Sequence, residues 1–142
     1  MKSFLLFLIL AGGSWAGDAT SARIFIWQER IRGLRANPVF VDGVEVASLR
    51  KRWTYFVVEV PAGEHTFNGR HKENELVLQL KPGEDCYLRL DQILTVPGGE
   101  KLVRTSAAEA KLVRDSGKLQ PVSPDDVRDY ARVIFSDSRG GR

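Results

Sequence analysis

The chain has 142 residues, 43% of them apolar, with 21 basic against 18 acidic side chains. That length suits one domain with a real core and is short for two, and a surplus of +3 is too small to imply nucleic acid as a partner. A single cysteine, Cys86, excludes an internal disulfide scaffold, so the hydrophobic core must suffice.

Met1 and Lys2 give a positive start, residues 4–11 an apolar run, and Ser14-Trp15-Ala16 a small-x-small ending. The run falls well short of the roughly 20 residues that cross a bilayer as a helix. The expectation is a signal peptide over residues 1–16, cleaved near Ala16, and a periplasmic or secreted protein with no membrane span. No cysteine follows the apolar run, so a lipid anchor at the cleavage point is not expected.

A polar lead over residues 17–22 precedes Arg23-Ile24-Phe25-Ile26-Trp27-Gln28-Glu29, a β-branched and aromatic first strand whose two faces are both partly apolar. Residues 30–37 are charged, contain Gly33 and stop before Pro38, which suits a surface connection. Val39-Phe40-Val41 and Val44-Glu45-Val46 then flank Asp42-Gly43, the dipeptide preferred by a two-residue type I′ hairpin turn because both central residues need positive φ.

Over residues 54–60, period two places Phe56, Val58 and Val60 on one face and Tyr55, Val57 and Glu59 on the other. A turn phrase, Pro61-Ala62-Gly63-Glu64-His65, follows and is nearly repeated as Pro82-Gly83-Glu84-Asp85-Cys86. In each, proline presets φ, glycine supplies positive φ, and an alternating run resumes, as between antiparallel neighbours. Leu76, Leu78 and Leu80 form another inward row. Cys86, Leu88 and Leu90 form the next, with the thiol inward as a small buried group. Pro97-Gly98-Gly99 ends that strand before a brief Lys101-Leu102-Val103.

Ser106-Ala107-Ala108-Glu109 has the form of a capping box, and its helix stops at Gly117. A second helix is expected from Ser123, with Pro124 at its first position and Asp125 and Asp126 in its first turn. Val127, Tyr130, Ala131 and Ile134 would then make one apolar stripe. Residues 136–142 are polar and glycine-rich, a tail.

Val39-Phe40-Val41-Asp42-Gly43, Tyr55-Phe56-Val57-Val58-Glu59-Val60 and the two Pro-Gly phrases together resemble a bacterial family of exported proteins and lipoproteins, domain of unknown function 2846. The resemblance covers residues 22–94. It implies a small β-sandwich and an exported location, and supplies no catalytic residues. Members often carry a lipobox, which this chain lacks.

The expected architecture is all-β: an immunoglobulin-like or transthyretin-like antiparallel sandwich of about seven strands over residues 23–104, followed by one or two short helices within residues 105–135. Arg50-Lys51-Arg52 beside Trp53 and Tyr55 is the most site-like constellation, since cations next to aromatics can hold a phosphate, a carboxylate or a sugar ring. The competing interpretation is a solvated turn that discourages edge pairing. Trp27 and Tyr55, if they face outward, would add an aromatic platform with Trp53 for a glycan or a partner strand; the competing reading packs Trp27 under the C-terminal helices.

His65 and His71, the two histidines, lack a metal-ligand spacing, and a lone thiol cannot build a sulfur site, so neither metal nor cofactor is expected. No Gly-x-Ser-x-Gly elbow occurs. The sequence therefore favours a non-enzymatic binding or accessory domain of the bacterial envelope, engaging an envelope protein or polymer. A hydrolase or metal-assisted enzyme, or a structural subunit of an envelope assembly, are the alternatives. The oligomeric state stays open.

Overall fold

A computed structural model describes residues 20–30, 35–93, 99–129 and 132–134. The signal peptide expected over residues 1–16, most of the lead and the expected tail over residues 136–142 lie outside the described residues. Ten strands and one α-helix follow in order: β1 Ser21–Gln28, β2 Asn37–Val41, β3 Val44–Leu49, β4 Thr54–Pro61, β5 Gly63–Asn68, β6 Leu76–Leu80, β7 Asp85–Ile93, β8 Gly99–Thr105, α1 Ala107–Asp115, β9 Gln120–Pro121 and β10 Val133–Ile134.

The strands form an all-β sandwich. One sheet runs β10-β4-β1-β7-β8, with β9 also on β4, and the other runs β3-β2-β5-β6. An immunoglobulin sandwich keeps its first two strands in one sheet, whereas β1 and β2 here lie in opposite sheets. The order 4-1-7-8 against 3-2-5-6 is the transthyretin-like plan. Two ladders depart from the antiparallel expectation: β1 with β7, and β4 with β9, run parallel.

The Asp42-Gly43 hairpin forms with φ of 52° and 82° at its two central residues, the left-handed pair that its turn type requires. The two Pro-Gly phrases behave differently. Neither joins neighbours of one sheet, because β4 to β5 and β6 to β7 each cross from one layer to the other. Both crossings are tied to the start of β1, where Ala62 N–H donates to Thr20 O (2.8 Å) and Gly83 N–H to Ser21 O (2.7 Å). Proline and glycine set the local bend alike in a hairpin and in an arch, so local chemistry leaves the pairing partner undetermined.

Of the rows expected inside, Phe56, Val58, Val60, Leu78, Leu80, Cys86, Leu88 and Leu90 join Ile24, Ile26, Val39, Val41, Val46 and Phe67 in the core between the sheets, and Leu76 packs against it half-buried. The outer face of β1 is apolar too, for a separate reason. Phe25, Trp27 and Val57 pack beneath Ala110 of α1, with Tyr55, Tyr87, Val113 and Leu119 around them. This second, smaller core is what the helix covers. Ser106 caps α1 by accepting from Glu109 N–H (3.1 Å), and Gly117 ends it at φ +77°.

The expected second helix does not form. Ser123 caps only a single 3-10 turn, Pro124–Asp126, after which the chain is extended: Val127 bridges Ala47 of β3, and β10 pairs with Val57 and Val58 of β4. Tyr130 and Ala131, two members of the proposed stripe, lie outside the described residues. Extended pairing satisfies backbone groups that the edges of β3 and β4 would otherwise leave open, and this outweighs the local helix-start signal. Residues 120–129 and 132–134, the C-terminal strip, thus close one side of the sandwich.

Candidate functional site

The β3–β4 connection, residues 50–53, stands where the C-terminal strip passes. Its backbone is held from below. Gln28, wholly buried at the end of β1, donates its amide to Leu49 O (3.3 Å) and Lys51 O (3.0 Å), and accepts from Asn37 Nδ2 (2.6 Å). Thr54 Oγ1 donates to Lys51 O (2.7 Å). Trp53 takes φ +57°, a left-handed conformation that is uncommon for a bulky residue and turns the chain into β4. Its carbonyl accepts from Gln120 N–H (2.8 Å), the first link to the strip.

Between this connection and residues 120–126 lies a cleft of about 290 Å³, lined by Arg50, Lys51, Arg52 and Thr54 on one side and by Gln120, Pro121, Val122, Ser123 and Asp126 on the other. Three cations face one carboxylate. Arg50 is committed to that carboxylate, its Nε and Nη2 donating to Asp126 Oδ1 at 3.1 and 3.0 Å. Asp126 is buried, and its hydrogen bond and charge push the Arg50 guanidinium further up from its ordinary value. Lys51 and Arg52 are exposed and have no ion-pair partner among the described residues. They are the free charges of the cleft.

The aromatic part of the constellation is arranged otherwise than a platform requires. Trp27 has 0% exposure, with its indole N–H on Glu29 Oε2 (3.2 Å), so it is corrected from a binding residue to a core residue. The cause is α1, whose Ala110 and Val113 bury the outer face of β1. Tyr55 stacks on Phe25 with centroids 5.0 Å apart and is half-buried. Trp53 is half-buried, and Lys118 Nζ sits 4.7 Å from its ring centroid. Its π face is therefore engaged within the chain.

Sequence reasoning found one wall of the cleft and missed the other. Ser123 and Asp126 were legible only as a helix start, Gln120 carried no signal, and the Arg50–Asp126 pair spans 76 positions, so no local pattern joins them. Ser123 Oγ accepts from Asp125 N–H (3.2 Å) and Thr54 Oγ1 is already donating. The cleft lining holds no histidine, and its one carboxylate is bound to Arg50. What it offers a ligand is positive charge on a fixed backbone.

The histidines do not converge. His65 Nδ1 meets Asp42 Oδ2 and its Nε2 donates to Pro61 O, both at 2.6 Å, while His71 Nδ1 lies 3.7 Å from Glu73. Among the described residues no group of three His, Cys, Asp or Glu side chains could hold a metal ion, and no helix is long and apolar enough to cross a membrane. No family model, no curated protein and no solved structure matches this chain.

Proposed function

We propose that this chain is an exported, non-enzymatic binding domain of the bacterial cell envelope, which holds an acidic group of an envelope protein or polymer in the cleft beside Arg50, Lys51 and Arg52. One observation carries this: Lys51 and Arg52 are unpaired among the described residues, yet the Lys51 carbonyl that joins them is held by the buried Gln28 amide and the Thr54 hydroxyl. Two cations presented without loss of backbone freedom bind an oxyanion more tightly than the same charges on a loose loop. The leader over residues 1–16 and the resemblance to exported proteins support the location. Against a hydrolase stands the cleft's chemistry, which supplies neither an unengaged carboxylate nor an imidazole to activate a nucleophile.

The test is the double charge reversal Lys51→Glu with Arg52→Glu, with polyphosphate and polyglutamate as phosphate and carboxylate probes alongside a native envelope fraction. Capture should fall at least about tenfold and the remainder should weaken with added salt. The thermal unfolding midpoint should stay within about 2 °C, because both side chains are solvated. Capture equal to that of the unaltered protein removes the cleft as the binding site.

A further inference from the structure

A sandwich of two open sheets has four edges, and three of them are managed here. The C-terminal strip pairs with β4 through β9 and β10 and bridges β3 at Ala47. Strand β8 carries Lys101 and Arg104, charges that oppose strand addition. Strand β6 is different. Leu76-Val77-Leu78-Gln79-Leu80 contains no charge, no proline and no bulge, and β5 is its one partner among the described residues. Val77 is 52% exposed and Gln79 is also exposed, both on the outer face. An edge of this kind is a template for another strand.

The residues bounding β6 identify that strand. Glu75 precedes it and Lys81 follows it; both are exposed, and neither has an ion-pair partner among the described residues. We propose that a second copy of this chain adds its own β6 antiparallel to this one, about a two-fold axis at Leu78, joining two four-stranded sheets into one. In that register Glu75 lies opposite Lys81 of the second copy, Leu76 opposite Leu80, and Val77 opposite Gln79. The two-fold repeats each pair, so both charges at each end are matched. A slip of two residues loses both ion pairs, which fixes the register. Each chain has one such edge among the described residues, so the assembly closes at two copies.

Sedimentation equilibrium on the full chain, between about 1 and 200 μM, should show a monomer–dimer equilibrium and no larger species. Val77→Lys, at an exposed position, should abolish the dimer while leaving the unfolding curve in place. Glu75→Lys and Lys81→Glu should each weaken the dimer about five- to tenfold, because each sets like charges opposite one another twice per dimer. Combining the two reversals should restore it. Within one chain these positions are six residues of strand apart, roughly 20 Å, so the restoration cannot arise inside a monomer. A monomer at every concentration, a dimer indifferent to Val77→Lys, or a double reversal no better than the single ones overturns the proposal.

Discussion

Asp42 carries more than a turn. Its Oδ1 accepts from Thr66 N–H (2.9 Å), its own N–H donates to Thr66 O (2.8 Å), and its Oδ2 holds His65, whose other ring nitrogen reaches Pro61 O. Partial burial works against the Asp42 charge, but the His65 hydrogen bond, the Thr66 N–H and the charges of His65 and Arg132 outweigh it and lower its pKa below the ordinary 3.8. Stability from this carboxylate is therefore present above 3.8 and is lost as pH falls through the lower folded value. Asp42→Asn keeps the tolerance of positive φ and an acceptor for Thr66 while removing the charge. Because the side chain is 38% exposed, the cost at pH 6 should be small, about 0.5–1 kcal/mol. Urea melts repeated from pH 6 to pH 2 should show a flatter acid limb in the variant; identical limbs would remove Asp42 as a source of acid lability.

At the scale of elements, residues 120–129 and 132–134 hold the two edges of one side together. Val122 N–H donates to Tyr55 O, Arg128 N–H to Val46 O, and Arg132 O accepts from Glu59 N–H, at 2.8–2.9 Å. Val127, almost fully buried, is the apolar anchor between them. Val127→Asp buries an unpaired charge and should cost about 3 kcal/mol. Hydrogen exchange should then quicken more at the Glu59 and Arg128 amides than at Leu88 or Leu90 in the middle of the first sheet; uniform quickening would mean that the strip has no separate opening. This strip is also where sequence and structure part. Ser123, Pro124 and two aspartates are genuine helix-start chemistry and do produce one 3-10 turn. What local chemistry cannot register is the pair of unpaired edges 66 to 83 positions upstream, whose hydrogen bonds draw the chain out straight. The Ser106 cap met no such competitor and forms, while the Glu109 carboxylate takes Arg89 as its partner.

For the whole molecule, alternation of side chains made the interior legible, because period two sorts Phe56, Val58, Leu78 and Leu88 inward whatever the partner strands are. Strand order was not legible. The central β1–β7 ladder joins residues 62 positions apart, Arg23 to Asp85 onward, and it is parallel; no turn announces it. The cationic wall of the cleft was readable as a charge run, while its acidic wall depended on how the strip folds back. Cys86 sits on β7 opposite Ile24 of that same ladder, with its inward face in the core. Burial pushes its thiol up from the ordinary 9.0, with nearby Arg104 only partly offsetting it. The thiolate that an alkylating reagent needs is therefore scarce as well as shielded. Since β1 and β7 are the middle strands of their sheet, no local fraying should expose the sulfur, and alkylation should wait for global opening. Iodoacetamide labelling in native buffer should run at least about a thousandfold slower than in denaturant, and its rate should track the stability of the variants above. Fast labelling of the native protein would mean that the parallel pair separates without the rest, and that the two sheets do not share one cooperative core.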